Sequence, residues 1–129
     1  AEEIGFLIDR LWSCGPLDVW VAPVLMKKNR PGQIVSILCT SDVRPDIIDC
    51  LYEHSSTFGV RYESVERDVL DRKMLSVSTA YGDVAVKLGY RDEQLLKRAP
   101  EYEDCARLAR ENGVSVRQVY QAALDAVDV

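Results

Sequence analysis

The sequence holds one histidine, His54, and four cysteines far apart at Cys14, Cys39, Cys50 and Cys105. A histidine-rich metal centre is thereby excluded. Without a CxxC pair, so is the usual zinc or thioredoxin-like framework. The cysteines read as buried free thiols, as in a protein kept under reducing conditions. His54 stands four residues after Cys50, which would be half of a site at helical spacing, and metal sites take three or four ligands. No apolar run approaches the ~20 residues of a membrane-spanning helix. Walker loop, GxGxxG, HExxH and GxSxG motifs are all missing, which excludes the standard phosphate-loop, dinucleotide, zinc-protease and serine-hydrolase sites. There are no internal repeats or low-complexity segments, no general base stands out, and no catalytic residue is assigned.

What is present is the composition of a globular domain. The 129 residues are 47% hydrophobic and 29% charged, enough to bury a core without staples. A net charge of −5 argues against general nucleic-acid binding, which needs net or clustered positive charge.

The apolar periodicity predicts an α+β chain. Ile4, Leu7, Ile8, Leu11 and Trp12 form a helical stripe that Gly15 and Pro16 terminate. Asp18 to Met26 reads as a strand that Pro23 pushes towards a sheet edge, and Ile34 to Cys39 as a buried strand. Ser41 or Asp42 would cap a second helix carrying Ile47, Ile48, Leu51 and Tyr52, and Val60 to Leu70 alternates like a third strand. That order, αββαβ, is a ferredoxin-like unit lacking its first strand. The first helix also lacks an N-cap side chain, so an upstream segment is expected and the chain is read as the C-terminal fragment of a longer one. Lys73 to Thr79 and Val84 to Tyr90 make a β-hairpin around Ala80-Tyr81-Gly82-Asp83. Arg91 to Ala99 reads as a polar linker before two helices, one opened by Pro100 and one capped by Ser115 with Gln118. The expected organisation is one domain over 1–129: a ferredoxin-like part (1–70), a hairpin (71–90) and a helical tail (91–129).

Three constellations carry chemistry. Met26-Lys27-Lys28-Asn29-Arg30-Pro31-Gly32 puts three cations within four residues at an expected hairpin tip closed by Pro-Gly. It offers point charges and a planar fork to phosphate or carboxylate, or else is a solvated loop. Ser55-Ser56-Thr57-Phe58-Gly59-Val60-Arg61 sets small hydroxyls and a glycine at a helix-to-strand turn, suited to a phosphate or sugar or simply to ending the helix. Pro100-Glu101-Tyr102-Glu103-Asp104-Cys105 gathers carboxylates that suit Mg²⁺ or Mn²⁺, or that answer a helix dipole.

Taken together, DVWVAPVLMKKNRPGQIVSILC, the segment ending TFGVR, the hairpin VSTAYGDVAVK and PEYEDCARLARENG resemble the C-terminal domain of the LarC family. That family inserts nickel into pyridinium-3,5-bisthiocarboxylic acid mononucleotide, completing the nickel-pincer nucleotide of lactate racemase. The resemblance implies a cytoplasmic, CTP-dependent nickel chelatase using Mn²⁺ or Mg²⁺, with CTP held by the C-terminal domain. Carried onto this sequence, it implies a nucleotide site of Lys27, Lys28, Arg30, Thr57, Gly59, Arg61, Arg72 and Lys73. Glu101, Glu103 and Asp104 would either hold the divalent ion or accept from the cytosine amino group. Nickel, the inserted ion, is expected to bind outside this chain, on the N-terminal domain of the same protein. The other partners expected are the pincer mononucleotide and further copies in a homo-oligomer. The alternative is a regulatory nucleotide-sensing or oligomerisation domain without catalysis of its own.

Overall fold

A computed structural model describes residues 1–129. The α+β class holds, and the chain divides into two compact units, Ala1–Ser64 and Val65–Val129.

The first unit is built from α1 (Glu2–Ser13), β1 (Asp18–Met26), β2 (Arg30–Leu38) and α2 (Arg44–His54). Leu7 and Leu11, one helical turn apart on α1, meet Ile47, Cys50 and Leu51 of α2. The strands form a two-stranded antiparallel sheet in which Val19 pairs with Ile37 and Val21 with Val35. Val19, Val35 and Ile37 close one side of the core, as period-two alternation requires. Pro23 pairs with Gln33 without a register shift. A two-stranded sheet has only edges, so the missing amide is tolerated. Pro45 lies in the first turn of α2, where its absent N–H costs nothing. The cap is Val43, without a side-chain bond, rather than Ser41 or Asp42. Asp42 instead accepts from the Thr40 hydroxyl.

The second unit stacks α3 (Tyr102–Asn112) and α4 (Val116–Asp125) on a three-stranded antiparallel sheet, ordered β3 (Asp71–Thr79), β4 (Gly82–Arg91), β5 (Gln94–Pro100). Val77, Val84, Val86 and Leu88 of the sheet pack with Cys105, Leu108, Ala109, Val119 and Ala123 of the helices. Gly82 has φ +136°, and a Cβ there would meet Leu108 at 2.7 Å, so tight turn and close packing both require glycine. Ser115 accepts from the Gln118 N–H at 3.1 Å, and the Gln118 side chain accepts in return from the Ser115 N–H, the expected capping box.

Three elements depart from the sequence reading. Val60 to Leu70 forms no strand, so the ferredoxin-like part shows only its αββα elements. Val60 instead packs on the first core, Leu70 lies over Gly89, and Asp68 pairs with Arg91 at 3.0 Å. The expected linker is β5, joined to β4 by a two-residue turn in which Asp92 and Glu93 both have positive φ, 49° and 65°. Pro100 accordingly ends β5, and α3 starts at Tyr102. Finally, Pro31 and Gly32 lie inside β2, opposite Leu25 and Val24; the turn itself is Lys27-Lys28-Asn29.

Candidate functional site: the basic hairpin tip

Met26 pairs with Arg30, leaving three residues to reverse the chain. Lys28 and Asn29 do so in the left-handed region, at φ 61° and 55°. Asparagine tolerates that conformation; a lysine there is strained by about 1–2 kcal/mol. Lys27, Lys28 and Arg30 are all exposed, and none has a carboxylate partner. Three cations thus converge at one turn, free to meet an anion, in a chain of net charge −5. Gly32 lies beneath, with the Met26 side chain across it: a Cβ there would meet the sulfur at 2.5 Å.

The other expected nucleotide residues are distributed differently. Thr57 and Gly59 follow α2 and bond to each other: the Thr57 hydroxyl donates to the Gly59 carbonyl at 2.8 Å and accepts from its N–H at 3.4 Å. Ser55 closes the helix by donating to the Leu51 carbonyl at 2.6 Å. Arg61 is exposed and unpaired, whereas Arg44, absent from the sequence reading, lies 4.6 Å from the centre of the Tyr62 ring. Arg72 and Lys73 belong to the second unit, on β3, and the Lys73 ammonium sits 5.1 Å from the centre of the Tyr90 ring.

Two of the three carboxylates at the start of α3 have structural partners. The Ala85 N–H donates to Asp104 Oδ2 at 2.9 Å, and the Glu101 N–H donates to the Ala85 carbonyl at 2.8 Å. Both polar groups of one β4 residue are thus satisfied by the strand-to-helix junction. Asp104 Oδ1 is 3.7 Å from Arg107, and Glu101 is 3.3 Å from Lys87. Glu103 alone has no partner, and nowhere do three His, Cys, Asp or Glu side chains come together as a metal cage. Glu101, Glu103 and Asp104 follow one another at the start of α3 without being gathered into such a cage.

Comparison with known proteins places the chain. The sequence profile described as "Nickel insertion protein" matches residues 1–120. The chain belongs to that family, the LarC proteins. A Myxococcus xanthus (strain DK1622) relative named for nickel insertion is 45% identical over 126 residues, 98% of this chain and 32% of its own length. A pyridinium-3,5-bisthiocarboxylic acid mononucleotide nickel insertion protein of Thermotoga petrophila is 38% identical over 121 residues, 94% of this chain and 30% of its own. The chain spans about a third of the length of these relatives. A solved structure of the C-terminal domain of a cyclometallase involved in synthesis of the NPN cofactor of lactate racemase, in apo form, superposes with a TM-score of 0.91. It has 38% identity, over 99% of this chain and 88% of that one. A Methanopyrus kandleri protein at 22% identity and TM-score 0.73 shares the fold. No helix of the family member described here is long and apolar enough to cross a membrane.

Proposed function

We propose that this chain is the CTP-binding part of a cytoplasmic nickel insertase, whose whole-protein activity loads nickel into pyridinium-3,5-bisthiocarboxylic acid mononucleotide. The observation that carries the reading is the likeness, at 38% identity over nearly the full chain, to the C-terminal domain of a cyclometallase. Nickel is cargo here, captured elsewhere in the protein. The basic tip supplies what a triphosphate needs: Lys27 and Lys28 as mobile charges and Arg30 as a bidentate fork. Arg61, with no partner of its own, is a further cation of the same unit, and Thr57 and Gly59 offer a hydroxyl and close backbone approach. Arg72 and Lys73 are proposed nucleotide residues of the second unit, considered by itself, where the Lys73 ammonium already lies over the Tyr90 ring. A Mn²⁺ or Mg²⁺ ion accompanying CTP draws most of its ligands from phosphate and water, so one carboxylate suffices. Among Glu101, Glu103 and Asp104 of the second unit, Glu103 is the one without a salt bridge or side-chain hydrogen bond.

Calorimetric titration of the chain with CTP, with and without Mn²⁺, tests the reading. Saturable binding with preference over ATP supports it, and no heat of binding to CTP overturns it. Labelled CTP then separates turnover from sensing: release of labelled phosphate or pyrophosphate marks an active site, and intact bound CTP a regulatory one.

A second reading, assembly, rests on the first unit's sheet. Both of its edges are unpaired, and Trp20, Met26 and Ile34 on the face opposite the core are half exposed. Light scattering showing a monomer at micromolar concentration would remove that reading.

A further inference from the structure

Cys14 and Cys50 form a juxtaposed pair of thiols outside the nucleotide site proposed above. Cys14 is the C-cap of α1; Cys50 lies in the middle of α2 on its buried face. Both line one cavity of about 230 Å³, with Arg10, Asp46, Glu53 and His54 around them. The Cys14 sulfur lies 3.9 Å from the Asp46 carbonyl oxygen, which is the helical acceptor of the Cys50 N–H one turn along α2. That brings the Cys14 sulfur against the turn of α2 that carries Cys50. Burial pushes the Cys50 thiol up, and Cys14 beside it pushes it further. The other two cysteines are placed differently: Cys105 sits in the core of the second unit, and Cys39 packs on the same core as Cys14 but does not line the cavity.

We propose that Cys14 and Cys50 are a redox-modification site that closes to an intramolecular disulfide when it meets a low-molecular-weight disulfide such as oxidised glutathione. Cys14, the more accessible, loses its proton to water and attacks one sulfur of the small disulfide, expelling one thiolate. The Cys50 thiolate then attacks the Cys14 sulfur and expels the second. Two protein thiols are oxidised, one small disulfide is reduced to two thiols, and the protons end on the released thiols. The residues enclosed by the cross-link include the whole β1–β2 hairpin with its basic tip, so oxidation closes a covalent loop around that hairpin.

The test is exposure of the reduced chain to oxidised glutathione, followed by thiol counting and peptide mapping without reductant. The titratable thiols of the unfolded protein fall from four to two, and a peptide linking Cys14 to Cys50 appears, reversed by dithiothreitol. Cys50→Ala traps glutathione on Cys14, and Cys14→Ala leaves Cys50 unmodified. The proposal is overturned if the wild-type chain keeps a stable glutathione adduct at Cys14, links Cys14 to Cys39, cross-links between copies, or does not react. Those outcomes are measured on the wild type, so they hold even where a variant folds poorly.

Discussion

Asp104 has a structural role that the sequence does not show. Among the acids of PEYEDC it looks like a metal ligand, yet it holds the β4 ladder where β5 hands over to α3. Removing it leaves the Ala85 N–H without its acceptor, at a cost of about 1–3 kcal/mol. Asp104→Ala is therefore expected to lower the denaturation free energy by that amount, while Mn²⁺ affinity in the presence of CTP stays unchanged. A loss of Mn²⁺ affinity without loss of stability would restore the metal role. The thiols of Cys50 and Cys105 make a second residue-scale prediction. Burial is the main cause that pushes both up, so the folded chain holds these protons after the unfolded chain has released them. A group raised on folding stabilises fully below its unfolded pKa and loses that contribution as pH rises. Stability under reducing conditions should thus fall above about pH 8.5, and the fall should be shallower in Cys50→Ala/Cys105→Ala. An equal loss of unfolding free energy between about pH 8 and pH 10 in the wild type and the double variant, measured by urea titration, would contradict this.

Among the elements, those with strong periodic signals were legible. Leu7 and Leu11, Ile47 and Leu51, and the Ser115–Gln118 box stand where the spacing placed them. Turns were the weak point, for one physical reason. Pro-Gly or another glycine is the expected signal at each reversal, whereas two reversals use Lys28-Asn29 and Asp92-Glu93 in the left-handed region. Without glycine or proline at Asp92-Glu93, β5 carries no turn signal before it and reads as a linker, whereas Pro31-Gly32 carries a turn signal but lies within β2. Val60 to Leu70 failed differently, since its alternation is real but its apolar residues are spent at isolated points, Val60 on one core and Leu70 on Gly89. The strained turn yields a prediction. Glu93→Gly relieves a positive φ of 65° and should stabilise the chain by about 0.5–1 kcal/mol, net of the glycine's extra unfolded-state freedom. Thermal denaturation showing a lower midpoint would mean that the Glu93 side chain contributes more than its backbone costs.

Over the whole molecule, the acidic balance and the basic tip belong together. A chain of net charge −5 repels a nucleoside triphosphate at long range, so the proposed capture of one would rest on the few cations that no carboxylate neutralises. Composition could not reveal this, because it sums charges that the fold keeps apart; nor could the sequence show which carboxylates were already engaged by Lys87, Arg107 and the Ala85 amide. The central claim is that Lys27, Lys28 and Arg30 hold the phosphates of CTP, and one pair of calorimetric titrations at matched ionic strength addresses it directly. Arg30→Ala should weaken CTP binding ten- to a hundredfold, by loss of a charge-assisted contact of about 1.5–3 kcal/mol, with Arg30→Lys recovering only part. Folding stability should move by less than about 0.5 kcal/mol, as for an exposed residue outside both cores. Equal CTP dissociation constants for the wild type and Arg30→Ala would contradict the account and leave the tip a solvated turn.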